Sequence, residues 1–245
     1  MRNVALLSSA IVLCACHANG HAEGHADARD SGPSESRNFQ VAAFDRIALA
    51  GSPDVIVTVG GAPSVRAEGS TASLDRLEIV SEGGQLRIGM RSGTSWSWFS
   101  SSHRGITVHV TVPSLVATST AGSGDIRIDR VAGPRFAGSI SGSGDLQIAA
   151  LQSPETTFSV TGSGGITAAG TSQHTNASVT GSGDIDLSGL EATDATLAVV
   201  GSGDVSVRAT GTAAIDIRGS GDVTVTGPAR CTVSKSGSGE AHCNG

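Results

Sequence analysis

The chain has 245 residues with a formal net charge of −6, 34 glycines, no tyrosine, 3% aromatic residues and 16% charged residues. That length suffices for one sizeable domain, but the shortage of aromatic bulk argues against an ordinary globular core and for Val, Ile, Leu and Ala in thin, closely stacked strands. The acidic balance and the lack of any basic run exclude a nucleic-acid binder, which needs an electropositive footprint.

The chain opens on Met1-Arg2-Asn3 and the apolar run Val4 to Ala15, a charge-then-apolar layout that reads as an export signal over residues 1–15. The run is too short to span a bilayer as a mature helix. Its end, Leu13-Cys14-Ala15-Cys16, resembles the lipobox of bacterial lipoproteins and assigns Cys16 as the acylated residue, with His17 behind it pointing to the outer membrane. Cleavage after Ala18 is the second reading, and it leaves a soluble periplasmic protein. Residues 16–38 hold almost no large apolar side chain and read as a flexible tether. His17, His21 and His25 would share one face of a helix near Glu23 and Asp27, but Gly20 and Gly24 disfavour that helix, so no metal and no cofactor is assigned.

From Phe39 apolar and polar residues alternate, and a β-solenoid domain is expected over 39–245. Gly51-Ser52-Pro53-Asp54 and Glu82-Gly83-Gly84-Gln85, each followed by apolar residues at alternate positions, read as irregular early coils. An insertion over 89–105 carries Trp96, Trp98 and Phe99, and a strand resumes from Ile106 to Val112.

Regular repeats fill 116–245. Gly-Ser-Gly-Asp or a near copy begins at Gly122, Gly142, Gly162, Gly181, Gly201, Gly219 and Gly237, spaced 20, 20, 19, 20, 18 and 18 residues apart. Seven copies at nearly fixed spacing signal stacked repeats. Counting in twos from each first glycine reaches apolar residues on both sides, Val160 and Phe158 before Gly162, Ile185 and Leu187 after Gly181, so both strands point one parity inward. The same parity makes the glycines inward corner positions and turns the acid outward. The corner residues are Gly122, Gly124 and Asp125, Gly142, Gly144 and Asp145, Gly181, Gly183 and Asp184, Gly201, Gly203 and Asp204, and Gly219, Gly221 and Asp222. A hairpin meander could also alternate, but identical corners at a fixed repeat fit coils stacked about 4.8 Å apart.

The opening strand Phe44 to Leu49, the step Thr111-Val112-Pro113-Ser114-Leu115 and the serial Gly-Ser-Gly-Asp-Ile segments together resemble the head GIN domain family of putative auto-transporter adhesins. The resemblance covers roughly Phe39 to the end. It implies an all-β, single-stranded, right-handed parallel β-helix in an exported protein of undetermined activity.

Stacked corner carboxylates repel by about 1 kcal/mol per neighbouring pair in a water-like dielectric. A bound cation is one remedy; hydrogen bonds from turn N–H groups are the plainer one, and the spacing is unlike that of nonapeptide calcium repeats. The remaining acids, Asp129, Glu155, Asp186, Glu191, Asp194 and Asp216, show no lateral cluster of the kind a polysaccharide enzyme needs, and no catalytic residue is assigned. Trp96, Trp98 and Phe99 form a candidate partner-binding loop for an envelope protein or glycan, or else a cap on the coil flank. Cys231 and Cys243 lie six residues either side of Gly237 on the inward parity and are expected to form a disulfide across the open end of the last coil. The sequence thus implies a non-catalytic, lipid-anchored interaction module, with a carbohydrate-active β-helix enzyme of the envelope as the alternative.

Overall fold

A computed structural model of the chain describes residues 34–91 and 105–244. In chain order its elements are β1 Ser34–Phe39, β2 Arg46–Gly51, β3 Asp54–Val59, β4 Ser64–Ser70, α1 Thr71–Arg76, β5 Leu77–Glu82, β6 Gln85–Met90, β7 Thr107–Val112, β8 Ala117–Gly122, β9 Ile126–Ile128 and β10 Val131–Ala132. The series continues with β11 Arg135–Gly142, β12 Leu146–Gln152, β13 Glu155–Gly162, β14 Gly165–Gly181, β15 Asp184–Gly201, β16 Val205–Gly219, β17 Val223–Thr226, β18 Arg230–Gly237 and β19 Ala241–Asn244. The protein is an all-β solenoid of stacked parallel strands, with about six turns.

Each regular coil contributes to three parallel ladders. One runs up to the glycine corner, through β2, β8, β11, β13, the ends of β14, β15 and β16, and β18. The second leaves that corner through β3, β9, β12, the starts of β14, β15 and β16, then β17 and β19. The third is short and joins Val131, Leu151, Gly170 and Leu190. It absorbs the unequal coil lengths: between β15 and β16 the register jumps from Leu187–Val207 to Glu191–Arg208, which shortens the later coil without disturbing the corner.

Alternation does the sorting. Ile126, Ile128, Leu146, Phe158, Val160, Ile185, Leu187, Leu197 and Val199 are all at most 2% exposed, while the residues that alternate with them face out. Aliphatic columns of this kind interdigitate at coil spacing, and the fold needs few aromatics for it; Phe136 and Phe158 meet at a ring separation of 6.3 Å inside the tube.

The first coil departs from the expected plan in three places. Glu82-Gly83-Gly84-Gln85 is a hairpin turn rather than a coil corner: Gly83 and Gly84 take φ of 57° and 77°, and β5 returns antiparallel on β6. Two successive left-handed glycines reverse a chain as a two-residue hairpin does, whereas the corners use one. Residues 34–38, assigned by composition to the tether, belong to β1, which pairs antiparallel with β4 from Ser34–Ser70 to Phe39–Val65. Backbone pairing on an edge needs no buried side chain, and Arg37 adds bonds to the Leu74 carbonyl at 3.2 Å and the Asp75 carboxylate at 3.0 Å. Between β4 and β5 lies α1, capped by the Ser70 hydroxyl on the Ser73 N–H and anchored by buried Leu74. Strand β6 also continues through Met90, so Gly89 and Met90 precede the insertion.

At the far end Cys231 and Cys243 are bonded, with an S–S distance of 2.11 Å. Their strands are β18 and β19, the last rungs of the two long ladders, so the bridge ties both sides of the final coil.

Candidate interaction site

The glycine corners form one continuous column. Gly51, Gly122, Gly142, Gly162, Gly181, Gly201, Gly219 and Gly237 pair in succession, and their φ values lie between 104° and 139°. Only glycine adopts that backbone without strain. A Cβ on Gly142 would overlap the carbonyl oxygen of Gly122, and one on Gly203 that of Gly183. Both glycines of the motif are therefore set by stacking: the first by backbone conformation and contact, the second by contact alone. The Gly122 carbonyl accepts the N–H groups of Ser143 and Gly144 at 2.9 and 3.2 Å, and the pattern recurs at Gly142 with Ser163 and Gly164.

Beside the glycines the acids form a second column, and its contacts run between coils. Asp125 Oδ1 accepts the Asp145 N–H at 3.0 Å, Asp145 the Gly165 N–H at 2.8 Å, Asp184 the Asp204 N–H at 2.9 Å, Asp204 the Asp222 N–H at 2.8 Å and Asp222 the Glu240 N–H at 2.8 Å. A bond to a charged acceptor contributes roughly 1.5–3 kcal/mol, more than the repulsion of about 1 kcal/mol between neighbouring exposed carboxylates. The column explains itself without a cation. Where Gly165 replaces the acid, the Asp184 N–H turns to the Gly164 carbonyl at 3.2 Å. Among the described residues no three His, Cys, Asp or Glu side chains converge as metal ligands.

The other acids are spread over different ladders, although Asp186 lines a small hollow of about 260 Å³ together with the corner acids Asp184, Asp204 and Asp222 and with His242. Asp186 faces out of the ladder after the corner, where it pairs in register with Ser206, and Asp216 faces out of the ladder before it, beside Ala198 and Ser234. Asp194 lies near the opposite bend, against His174 at 3.4 Å and the Thr212 hydroxyl at 2.6 Å. Bonds from the Ser188 hydroxyl and amide hold the Asp186 carboxyl below the ordinary carboxylate range, and the Thr212 hydroxyl does the same for Asp194. A general acid needs the opposite shift.

Trp96, Trp98 and Phe99 lie outside the described residues, as does Cys16. What the structure places is the two ends of the insertion. Met90 lies over Gly51, and the Ile106 carbonyl accepts the Asp54 N–H at 3.0 Å. In later coils one serine separates the two glycines of the corner; in this coil the described chain leaves at Met90 beside Gly51, the first glycine of the column, and resumes at Ile106 beside Asp54. Beside its departure a shallow groove of about 690 Å³ opens on the flank, with Ala48, Ala50, Gly89 and Ala121 among its lining and Val80 and Met90 along it. Sequence reading missed this groove, although Gly89 at an outward strand position was its available signal.

Buried polar groups were missed as well. The Thr156 hydroxyl lies 2.9 Å from that of Thr175 and 3.2 Å from that of Ser172, which in turn donates to the Pro154 carbonyl at 3.2 Å. This cluster lies inside the tube and serves packing.

A parallel ladder with aliphatic columns inside and glycines at its corners defines a repeat-built β-solenoid. The chain belongs to the family described as "Putative auto-transporter adhesin, head GIN domain", whose model matches residues 43–229. Among solved structures it is similar to a putative adhesin from Bacteroides fragilis, with 20% identity, a TM-score of 0.76, and 86% of this chain and 96% of that one covered. A putative lipid binding protein from Parabacteroides distasonis is similar at 24% identity and a TM-score of 0.68, covering 87% and 97% of the two chains. A second Parabacteroides distasonis protein, a putative adhesin, shows 19% identity, a TM-score of 0.69 and coverage of 87% and 98%. At these identities the likeness is one of fold. No curated protein matches the chain.

Proposed function

We propose that the protein is a non-catalytic interaction module of the cell envelope, anchored through acylated Cys16, whose solenoid holds the aromatic insertion toward an envelope protein or glycan. One observation carries this reading: the insertion is attached at the head of a rigid, eight-glycine column. Residues that recur coil after coil are accounted for by stacking, whereas Trp96, Trp98 and Phe99 occur once and answer to no structural period. Clustered tryptophans supply large, stiff contact area, and the neighbouring groove adds apolar surface at the same end. Family membership among putative adhesins agrees with a binding role. Asp186 shares a small hollow with corner acids, but the downward shifts at Asp186 and Asp194 weigh against the carbohydrate-active alternative, whose general acid needs a raised carboxyl.

The test is capture from envelope extracts on immobilised wild-type protein and on a form with residues 92–104 replaced by a Gly-Ser link, with release of reducing sugars from envelope polysaccharide assayed in parallel. Specific capture by the wild type alone supports the proposal. Sugar release by either form would overturn it in favour of an enzyme.

A further inference from the structure

The inward column through Ile140, Val160, Val179, Val199 and Ile217 ends on Lys235. Every earlier member of that run is at most 2% exposed, yet its last position is an ammonium whose Nζ reaches the Gly239 carbonyl at 3.4 Å. Next to it Val233, in register with Ile215, is 45% exposed. Among the described residues β18 and β19 pair on one side only, so the last coil presents Val233 beside a free backbone edge, the kind of surface that recruits another strand.

The two ends of the solenoid are unlike. At the N-terminal end the ladder that ends on β18 is closed by β5, antiparallel to β6, so a β18 strand arriving from a second molecule finds no parallel edge there. Strand β1, antiparallel to β4 and so two reversals from β7, keeps the direction of the other ladder. The surface most like the C-terminal end is the same end of another copy, which would meet it about a two-fold axis with the two β18 edges antiparallel. We propose that Lys235 is a stop residue that prevents this tail-to-tail association, because pairing would drive two ammonium groups into a shared interface with no carboxylate of their own column to meet them. The disulfide covers the Cys231 side of the last coil, and Lys235 guards the rest. This inference stands apart from the proposed binding role and does not depend on it.

The test is sedimentation velocity of the oxidised full chain in mild detergent, over a wide concentration range, comparing wild type, Lys235→Val, Lys235→Arg and Lys235→Val with Val233→Lys. Lys235→Val is expected to shift with concentration to a species of doubled mass, Lys235→Arg to sediment as the wild type does, and Val233→Lys to reverse the association. Three results would overturn the proposal: Lys235→Val sedimenting as the wild type at every concentration, the wild type itself associating to the same extent, or an association that the second lysine leaves intact.

Discussion

Asp125 Oδ1 accepts the backbone N–H of Asp145, twenty residues on in sequence and one coil on in space, at 3.0 Å. The corner acid is thus a rung between coils, and its value to the fold is the N–H it satisfies in the next coil. Asp204→Ala, which strands the Asp222 N–H, is expected to lower unfolding free energy by about 1–2 kcal/mol, and Asp204→Asn, which keeps an acceptor oxygen, by less. Denaturant titration of the three proteins checks the order. Equal loss in both variants would mean that charge, and not hydrogen bonding, holds the column.

The glycines should be far less forgiving than their number suggests. Gly203→Ala places a methyl group on the Gly183 carbonyl, a backbone atom that cannot move aside, and is expected to cost at least about 3 kcal/mol or to prevent folding. Gly133 has open space where its Cβ would lie, so Gly133→Ala should be neutral or slightly stabilising. Thermal melts of the pair would separate glycines required by stacking from glycines tolerated in a turn.

Thr118 and Thr120 are each 2% exposed, point inward and leave their hydroxyl oxygens without a partner. Thr120 pairs with Leu49 on one side and Ile140 on the other, a column that is otherwise aliphatic from Leu49 to Ile217. Thr120→Val should therefore stabilise the protein by about 1 kcal/mol, since an unpartnered hydroxyl is removed at nearly constant shape. A loss of stability on chemical denaturation would reveal a partner for the hydroxyl.

Acid should act on Asp186 in a defined direction. Bonds from the Ser188 hydroxyl and amide, then from the Ser206 hydroxyl, lower its carboxyl in the fold, so its contribution is present above the ordinary carboxylate range and is lost as pH falls through the lowered folded value. Asp186→Asn should melt closer to the wild type at strongly acidic pH than at neutral pH. A gap that stays constant from neutral to strongly acidic pH would contradict the linkage.

The repeat made much of this architecture legible before any coordinates. Identical corners demand identical environments, so the parity from Val160 to Leu187 and the Cys231–Cys243 bridge could be read from spacing. Of the two corner glycines expected to point inward, only the second is buried, and the first is half-buried with a positive φ. The ends resisted because they obey local rules instead of the period. Glu82 to Gln85 carries the glycines and following alternation of a corner, and only its antiparallel partner, a tertiary fact, makes it a hairpin. Strand β1 has the composition of a linker and gains its order from the backbone of β4 and from the contacts of Arg37. Sequence implies turn bonds for the corner acids; that these bonds reach the next coil depends on a stacking offset no sequence spacing encodes.

The central claim is a division of labour: the column folds and the aromatic insertion binds. Its most direct test is a single paired measurement on the Trp96→Ser, Trp98→Ser, Phe99→Ser triple variant, taking its melting transition and its retention on envelope preparations beside the wild type. The account predicts an unchanged melting transition with retention reduced at least tenfold. A triple variant that melts markedly earlier, or one that melts normally and is retained as fully as the wild type, would contradict it.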